Sequence, residues 1–358
     1  MEGFDISKVS EIYVGSTPVS SIYLGSNKLW PSAHDYSKDY LTFEAIDDTT
    51  FTFDNSLQYS LDDGSTWFTL AGGSTSPTVT AGNKILWKQT GLTPSYSGIG
   101  TFSATGNFEA SGNIMSLYYG DNFVGQNDLT GKRSAFYYLF RNNTKLINVK
   151  NLILPATTLA ERCYSYMFTG CRSLTTAPEL PATTLAGSCY ERMFNDCRSL
   201  TTAPELPATT LANTCYRGMF WSCSSLTTAP ELPATTLATN CYAYMFEYCG
   251  SLTTAPELPA TTLASGCYGH MFSFCSKLTT APELPATTLV DYCYEHMFNV
   301  CLLLNYIKCL ATNISATDCI NSWVMGVSDT GTFIKNSTMT SWSTGDNGIP
   351  NGWTVQNV

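Results

Sequence analysis

Leu154-Pro155-Ala156-Thr157-Thr158-Leu159-Ala160 opens a unit that continues through Cys163-Tyr164, Met167-Phe168 and Cys171 to Leu174-Thr175-Thr176-Ala177-Pro178-Glu179. Five further near-copies begin at Leu180, Leu206, Leu232, Leu258 and Leu284, with a period of 26 residues, and the series ends at Cys301. A fixed period of this length means stacked supersecondary units that share a continuous core. Within the unit, Cys163, Tyr164, Met167, Phe168 and Cys171 fall at i, i+1, i+4, i+5 and i+8, which predicts one buried face of an α-helix. Leu174-Thr175-Thr176-Ala177 is β-prone, and Pro178, with no N–H to donate, should end that strand. The expected unit is a short strand, a Pro-bounded turn and a short helix.

The pattern LxxAxxLPxxTLAxxxxxxMFxxCxxL resembles the BspA-type leucine-rich repeat of bacterial surface proteins, with Met167-Phe168 where that repeat has Ala-Phe. The resemblance covers Lys132 to about Asn336 and implies a solenoid. Ala135-Phe136, Leu139-Phe140 and Leu146 read as a degenerate first unit. Leu304, Leu310, Cys319, Trp323-Val324 and Val327 read as a last one, in keeping with the atypical ends that shield a repeat array.

Ahead of the repeats, Glu11-Ile12-Tyr13-Val14-Gly15-Ser16 and Ser21-Ile22-Tyr23-Leu24-Gly25-Ser26 read as small β-hairpins. They resemble short N-terminal segments of phage tail proteins. Between them and the repeats, strands are expected at Tyr40–Ile46, Thr49–Phe53, Leu57–Leu61, Thr66–Leu70, Lys84–Gln89, Gly100–Ala104 and Ile114–Tyr118, a sandwich-like arrangement. The expected fold class is therefore α+β, an all-β domain followed by a leucine-rich-repeat-like solenoid. Its parts are a hairpin attachment segment (1–31), a β-sandwich (32–120), a linker (121–131), the capped repeats (132–336) and a C-terminal tail (337–358).

The 358 residues carry 18 Lys and Arg against 28 Asp and Glu, a net charge of −10, which argues against nucleic acid or an anionic membrane as partner. No stretch is long enough to cross a bilayer, and Met1-Glu2-Gly3-Phe4-Asp5 does not begin a secretory signal. All fourteen cysteines follow residue 162, twelve of them at the two fixed positions of the units. Without a CxxC or a recurring His they predict buried free thiols rather than metal ligands. LPATT departs from a sortase signal at its fifth residue and has a structural reading. Glu179, Glu205, Glu231, Glu257 and Glu283 form a column of like charge that reads as a solvated edge. No nucleophile, phosphate-binding or zinc-protease motif is present, so no catalytic residue, metal or cofactor is assigned.

What changes from unit to unit is the residue pair on the outer face. It is written in Tyr, Ser, Gly and Asn with an occasional Trp or Arg, the vocabulary of a paratope. The expected ligand-binding residues are Tyr166, Arg192, Arg217, Trp221, Tyr244, Tyr248, His270, Phe274, Tyr292 and His296. The expectation is a non-enzymatic receptor-binding protein of a phage tail or virion that recognises a protein or glycan of a bacterial surface. Residues 1–31 would join it to virion proteins, and a homo-oligomer is compatible with this outline. A bacterial surface adhesin is the alternative of the same kind. A glycan-cleaving β domain, using carboxylates among Glu44, Asp47, Asp48, Asp54, Asp62 and Asp63, is the alternative of another kind.

Overall fold

Apolar residues alternating with polar ones, as in Leu41-Thr42-Phe43-Glu44-Ala45, place every second side chain in a core, and this strand shows that burial pattern. A computed structural model of the chain describes residues 13–14, 17–18, 22–24, 27–30, 36–89 and 98–358. Two compact units result, Met1–Asp39 and Tyr40–Val358. In the first, β1 (Tyr13–Val14) pairs antiparallel with β2 (Thr17–Pro18), and β3 (Ile22–Leu24) with β4 (Asn27–Trp30). The expected Gly15-Ser16 and Gly25-Ser26 turns lie outside the described residues.

The second unit opens with β5 (Leu41–Ala45), β6 (Phe51–Phe53), β7 (Leu57–Ser60), β8 (Phe68–Leu70), β9 (Lys84–Lys88), β10 (Phe102–Ala104) and β11 (Phe108–Asn113). β5, β7, β8, β9 and β11 lie in one sheet, while β6 and β10 pair separately. The strand expected at Ile114–Tyr118 is instead the four-residue α-helix Ser116–Tyr119, the one α-helix among the described residues. The sheet position belongs to β11, which Gly112 within it conceals from a propensity reading.

β11 also pairs in parallel with β12 (Leu146–Asn148) and β13 (Leu152–Ile153) at the start of the repeats. The expected linker is built into this structure. Leu129 is fully buried and its N–H donates to the Thr158 carbonyl, while Asp128 bridges Thr158. Asp121 accepts from the Lys88 ammonium and the Tyr40 hydroxyl, each at 2.7 Å. The aromatic core of the sheet, Phe43, Phe51, Trp87, Phe102 and Phe108, reaches Phe140, which begins a column of rings running through the repeats.

The helix expected at Cys163–Cys171 does not form. The N–H groups of Cys163, Ser165, Met167, Thr169 and Cys171 donate three residues back, closing a run of tight turns. Those of Arg162, Tyr164, Tyr166, Phe168 and Gly170 donate to carbonyls of the next unit, from Gly187 to Asn195. Every fourth residue has a left-handed backbone: Arg162, Tyr166 and Gly170 have φ of 57°, 57° and 76°. A turn whose third residue has positive φ is of type II, and here such turns alternate with turns lacking it. An α-helix would spend these N–H groups within the segment. The turns leave half of them free to tie one unit to the next, and the apolar spacing fits a period of four as well as it fits 3.6.

The remaining sides of the unit are joined by parallel bridges, Thr158 to Thr184 on one and Thr202 to Thr228 to Thr254 on the other. Strands of full length form only near the ends, where β14 (Tyr306–Cys309), β15 (Thr332–Lys335) and β16 (Thr354–Asn357) make a parallel sheet. The strand expected at Thr332-Phe333-Ile334 is thus present, and the C-terminal tail adds one more.

Inside, the constant residues form columns. Tyr164, Tyr190, Tyr216, Tyr242, Tyr268 and Tyr294 stack with ring centroids 5.7 to 6.1 Å apart. Phe168 through Phe298 stack at 5.4 to 5.8 Å. All fourteen cysteines are buried and free. The thiols of Cys171, Cys197, Cys223, Cys249, Cys275 and Cys301 each donate, at 3.0 to 3.2 Å, to the carbonyl of the Phe that precedes them by one unit. That carbonyl also accepts a backbone N–H within its own unit, as Phe168 does from Cys171, so both of its lone pairs are used. Burial pushes the thiols up, Cys163 and Cys301 to about 12.

Candidate functional site

The turns decide where the variable residues go. Of each four residues, two face the core and two face outward, and the second of the outward pair is the left-handed one. Its N–H bonds the next unit, so the ladder is independent of its side chain. Tyr166, Arg192, Gly218, Tyr244, His270 and His296 form one such column; Gly170, Asp196, Ser222, Tyr248, Phe274 and Val300 form another. Left-handed backbone costs a non-glycine residue about 1–2 kcal/mol.

Nine of the ten expected ligand-binding residues make contacts with one another, in three groups. The Arg192 guanidinium lies 5.9 Å from the Tyr166 ring and 4.5 Å from that of Trp221. It crosses Gly218, where an added Cβ would stand 3.1 Å from the Arg192 Cγ. Arg217 lies 4.9 Å from the Tyr244 ring and pairs with Glu191 at 3.3 Å. Tyr244 stacks on His270 at 4.5 Å, His270 on His296 at 4.6 Å, and Tyr248 on Phe274 at 4.4 Å. Tyr292 stands apart in a third column, 41 % exposed. Tyr248 is equally open at 42 %, and the others are half-buried.

Sequence reasoning missed two parts of this surface. Tyr138 extends the first column into the degenerate unit, 5.4 Å from Tyr166, with Arg141 at 4.4 Å from its ring. The 28-residue register that marks that unit places Tyr138 opposite Tyr166. The second part lies between the two ring columns, where Glu247, Ser273 and Asn299 occupy equivalent places in successive units and are all buried. Glu247 approaches the His270 Nδ1 at 3.7 Å, and Asn299 Nδ2 lies 3.4 Å from the His296 Nδ1. Burial, followed by the neighbouring His270, holds His296 below the usual imidazole value. The hydroxyl of Ser273 and the Oδ1 of Asn299 have no partner. A polar residue on the expected outer face of a helix gives no sign of such burial.

The stretch between the two bridged sides carries constant exposed residues. Glu179, Glu205, Glu231, Glu257 and Glu283 are all exposed, and Glu283 accepts from Lys308 at 2.9 Å. Shallow grooves run between neighbouring units there, one lined by Pro230, Glu231, Pro256 and Glu257. Among the described residues no group of three or more His, Cys, Asp or Glu side chains could hold a metal ion. No helix among them is long and apolar enough to cross a membrane. The chain matches no protein-family model, no curated protein and no solved structure.

Proposed function

We propose that this chain is a recognition protein without enzymatic activity, binding a target on a bacterial surface through the outer columns of its repeats. In this reading residues 132–336 are a leucine-rich-repeat-like solenoid in which tight turns replace the helix. The observation that carries the reading is a contrast: the inward residues repeat almost unchanged, while the outward ones differ in every unit and include half-exposed Tyr, Trp, Phe and Arg. These are the residue types that dominate binding hot spots. A backbone fixed by inter-unit hydrogen bonds lowers the ordering cost of association. The hairpins of residues 1–31 support a place on a phage tail or virion, with attachment through that segment. A bacterial adhesin remains the second reading, supported by the resemblance of the repeat motif.

The test compares two variants of the full chain for binding to a panel of bacterial cells. One carries Trp221→Ala, Tyr248→Ala and Phe274→Ala; the other carries Glu205→Gln, Glu231→Gln and Glu257→Gln. Loss of about 2 kcal/mol or more of affinity is expected in the first alone, roughly thirtyfold. Loss only in the second moves the site to the constant side and overturns the assignment.

A further inference from the structure

The outer face treats arginine differently along its length. In its first half the chain places its own guanidinium groups against its own rings: Arg141 on Tyr138, Arg162 on Tyr137 at 5.0 Å, Arg192 on Trp221 and Arg217 on Tyr244. Arg217 also has a carboxylate partner in Glu191. The sequence contains no arginine after Arg217. Beyond that point rings and a carboxylate continue: Arg217 reaches Tyr244, and among the described residues no guanidinium lies against His270, Tyr248 or Phe274. Tyr244 and His270 form one stack and Tyr248 and Phe274 the other, with interplanar angles of 17° and 16°. Glu247 and Ser273 lie between them in the chain.

The floor between these stacks is rich in acceptors. Glu247 is 7 % exposed, and its contact with the His270 Nδ1, at 3.7 Å, is too long for a hydrogen bond. The Ser273 hydroxyl, fully buried, and the Asn299 Oδ1 lack any partner. A buried polar atom left unpaired, as at Ser273 and Asn299, is costly, and Glu247 brings a carboxylate beside them whose nearest charged partner is His270 at 3.7 Å. Aromatic faces present negative potential, as a carboxylate and an amide oxygen do. A flat cation with several donors satisfies all of these groups at once, stacking on a ring while its N–H groups reach the floor.

We propose that the outer face of the fourth to sixth units is a docking site for an arginine side chain of a protein target, held between the two ring stacks and paired with Glu247. The proposal rests on the reading of the outer columns as the recognition surface and names the chemistry they take. The protein's net charge of −10 favours the approach of such a partner.

The experiment uses the full chain and three fluorescent peptides of one Gly-Ser background, carrying spaced arginine, lysine or citrulline. Anisotropy should show the arginine peptide bound, with the lysine peptide weaker and the neutral citrulline peptide weakest. Glu247→Gln should weaken the arginine peptide by about thirtyfold or more. The triple variant Glu205→Gln, Glu231→Gln, Glu257→Gln in the constant stretch should bind it as the parent does. Where Glu247→Gln fails to fold, Tyr248→Ala with Phe274→Ala must produce the loss instead. Equal binding of arginine and citrulline peptides, lysine binding as tight as arginine, or indifference to both outer-face variants overturns the proposal. Cell binding that depends on the outer columns, in a protein that ignores the arginine peptide, leaves the recognition surface standing and removes its guanidinium ligand.

Discussion

The inward and outward sides of the same turns obey different rules. Inward, each Tyr and Phe stacks on its counterpart in the next unit, so a change in one unit is felt by two neighbours. Outward, Tyr, Arg, Gly and His follow one another at a single left-handed position. The backbone explains the difference. Unit-to-unit hydrogen bonds come from main-chain N–H groups at both kinds of position, so the ladder places no demand on the outward side chain. Only packing discriminates, and packing acts inward.

The sharpest test of this contrast is alkaline titration, because the inward side carries the thiols and phenols. Burial raises Cys163, Cys301 and Cys309 from 9.0 to about 12, and Cys241 to about 11. The sign follows from linkage: above pH 9 the unfolded chain releases thiol protons that the native chain keeps, so stability falls as pH rises. Each such thiol removes about 1.4 kcal/mol per pH unit between its unfolded and folded values. With several acting together, thermal melts should show the transition collapsing between about pH 9 and 11. A transition unmoved to pH 11 breaks the account of the core.

Next in size is ring deletion. Phe220→Ala opens a gap between Phe194 and Phe246, which flank it at 5.7 Å on either side. Denaturant unfolding should register a loss of about 3–5 kcal/mol. Phe274→Ala, on the outer face, should cost less than about 1 kcal/mol. Equal losses would mean that the outer stacks belong to the core.

A gain tests the backbone side of the comparison. Val300 is β-branched with a φ of 58°, the conformation such a residue least tolerates. Asparagine adopts it more readily, so Val300→Asn should raise stability by about 0.5–1 kcal/mol, read as a higher melting temperature. A loss would show that the Val300 side chain packs more than its half-exposed state suggests.

These elements also mark what was legible in the sequence. The 26-residue period disclosed the stacking and every inward column, because identical residues at identical places must meet across units. The helix was misread because five apolar positions from Cys163 to Cys171 fit a four-residue turn period and a helix alike. Left-handed residues occur at Arg, Tyr, Ser and His rather than at a run of glycines, so no sequence signal betrayed the turns. The outer columns were legible from their variation. Their buried floor was not, since Glu247 and Ser273 become neighbours only through stacking, between ring columns that no local pattern links.

The smallest expected effect concerns that floor in acid. His296 lies below its usual value through burial first and His270 second, against opposing pulls from Glu295 and Glu247. The unfolded imidazole therefore takes up its proton at higher pH than the folded one. Stability from this group is present above about pH 6.5, the unfolded value, and declines as pH falls below it. Carboxylates with lowered values, such as Asp62 at about 2 and Asp196, lose their contribution only in more acid solution. A window between about pH 7 and 5 thus isolates the imidazole. Melting temperature should fall modestly across it in the parent protein and fall less in His296→Asn, which keeps a polar side chain. The inward columns hold Cys, Tyr, Met and Phe, so an unchanged slope in His296→Asn would place the acid sensitivity away from His296 and overturn this account of it.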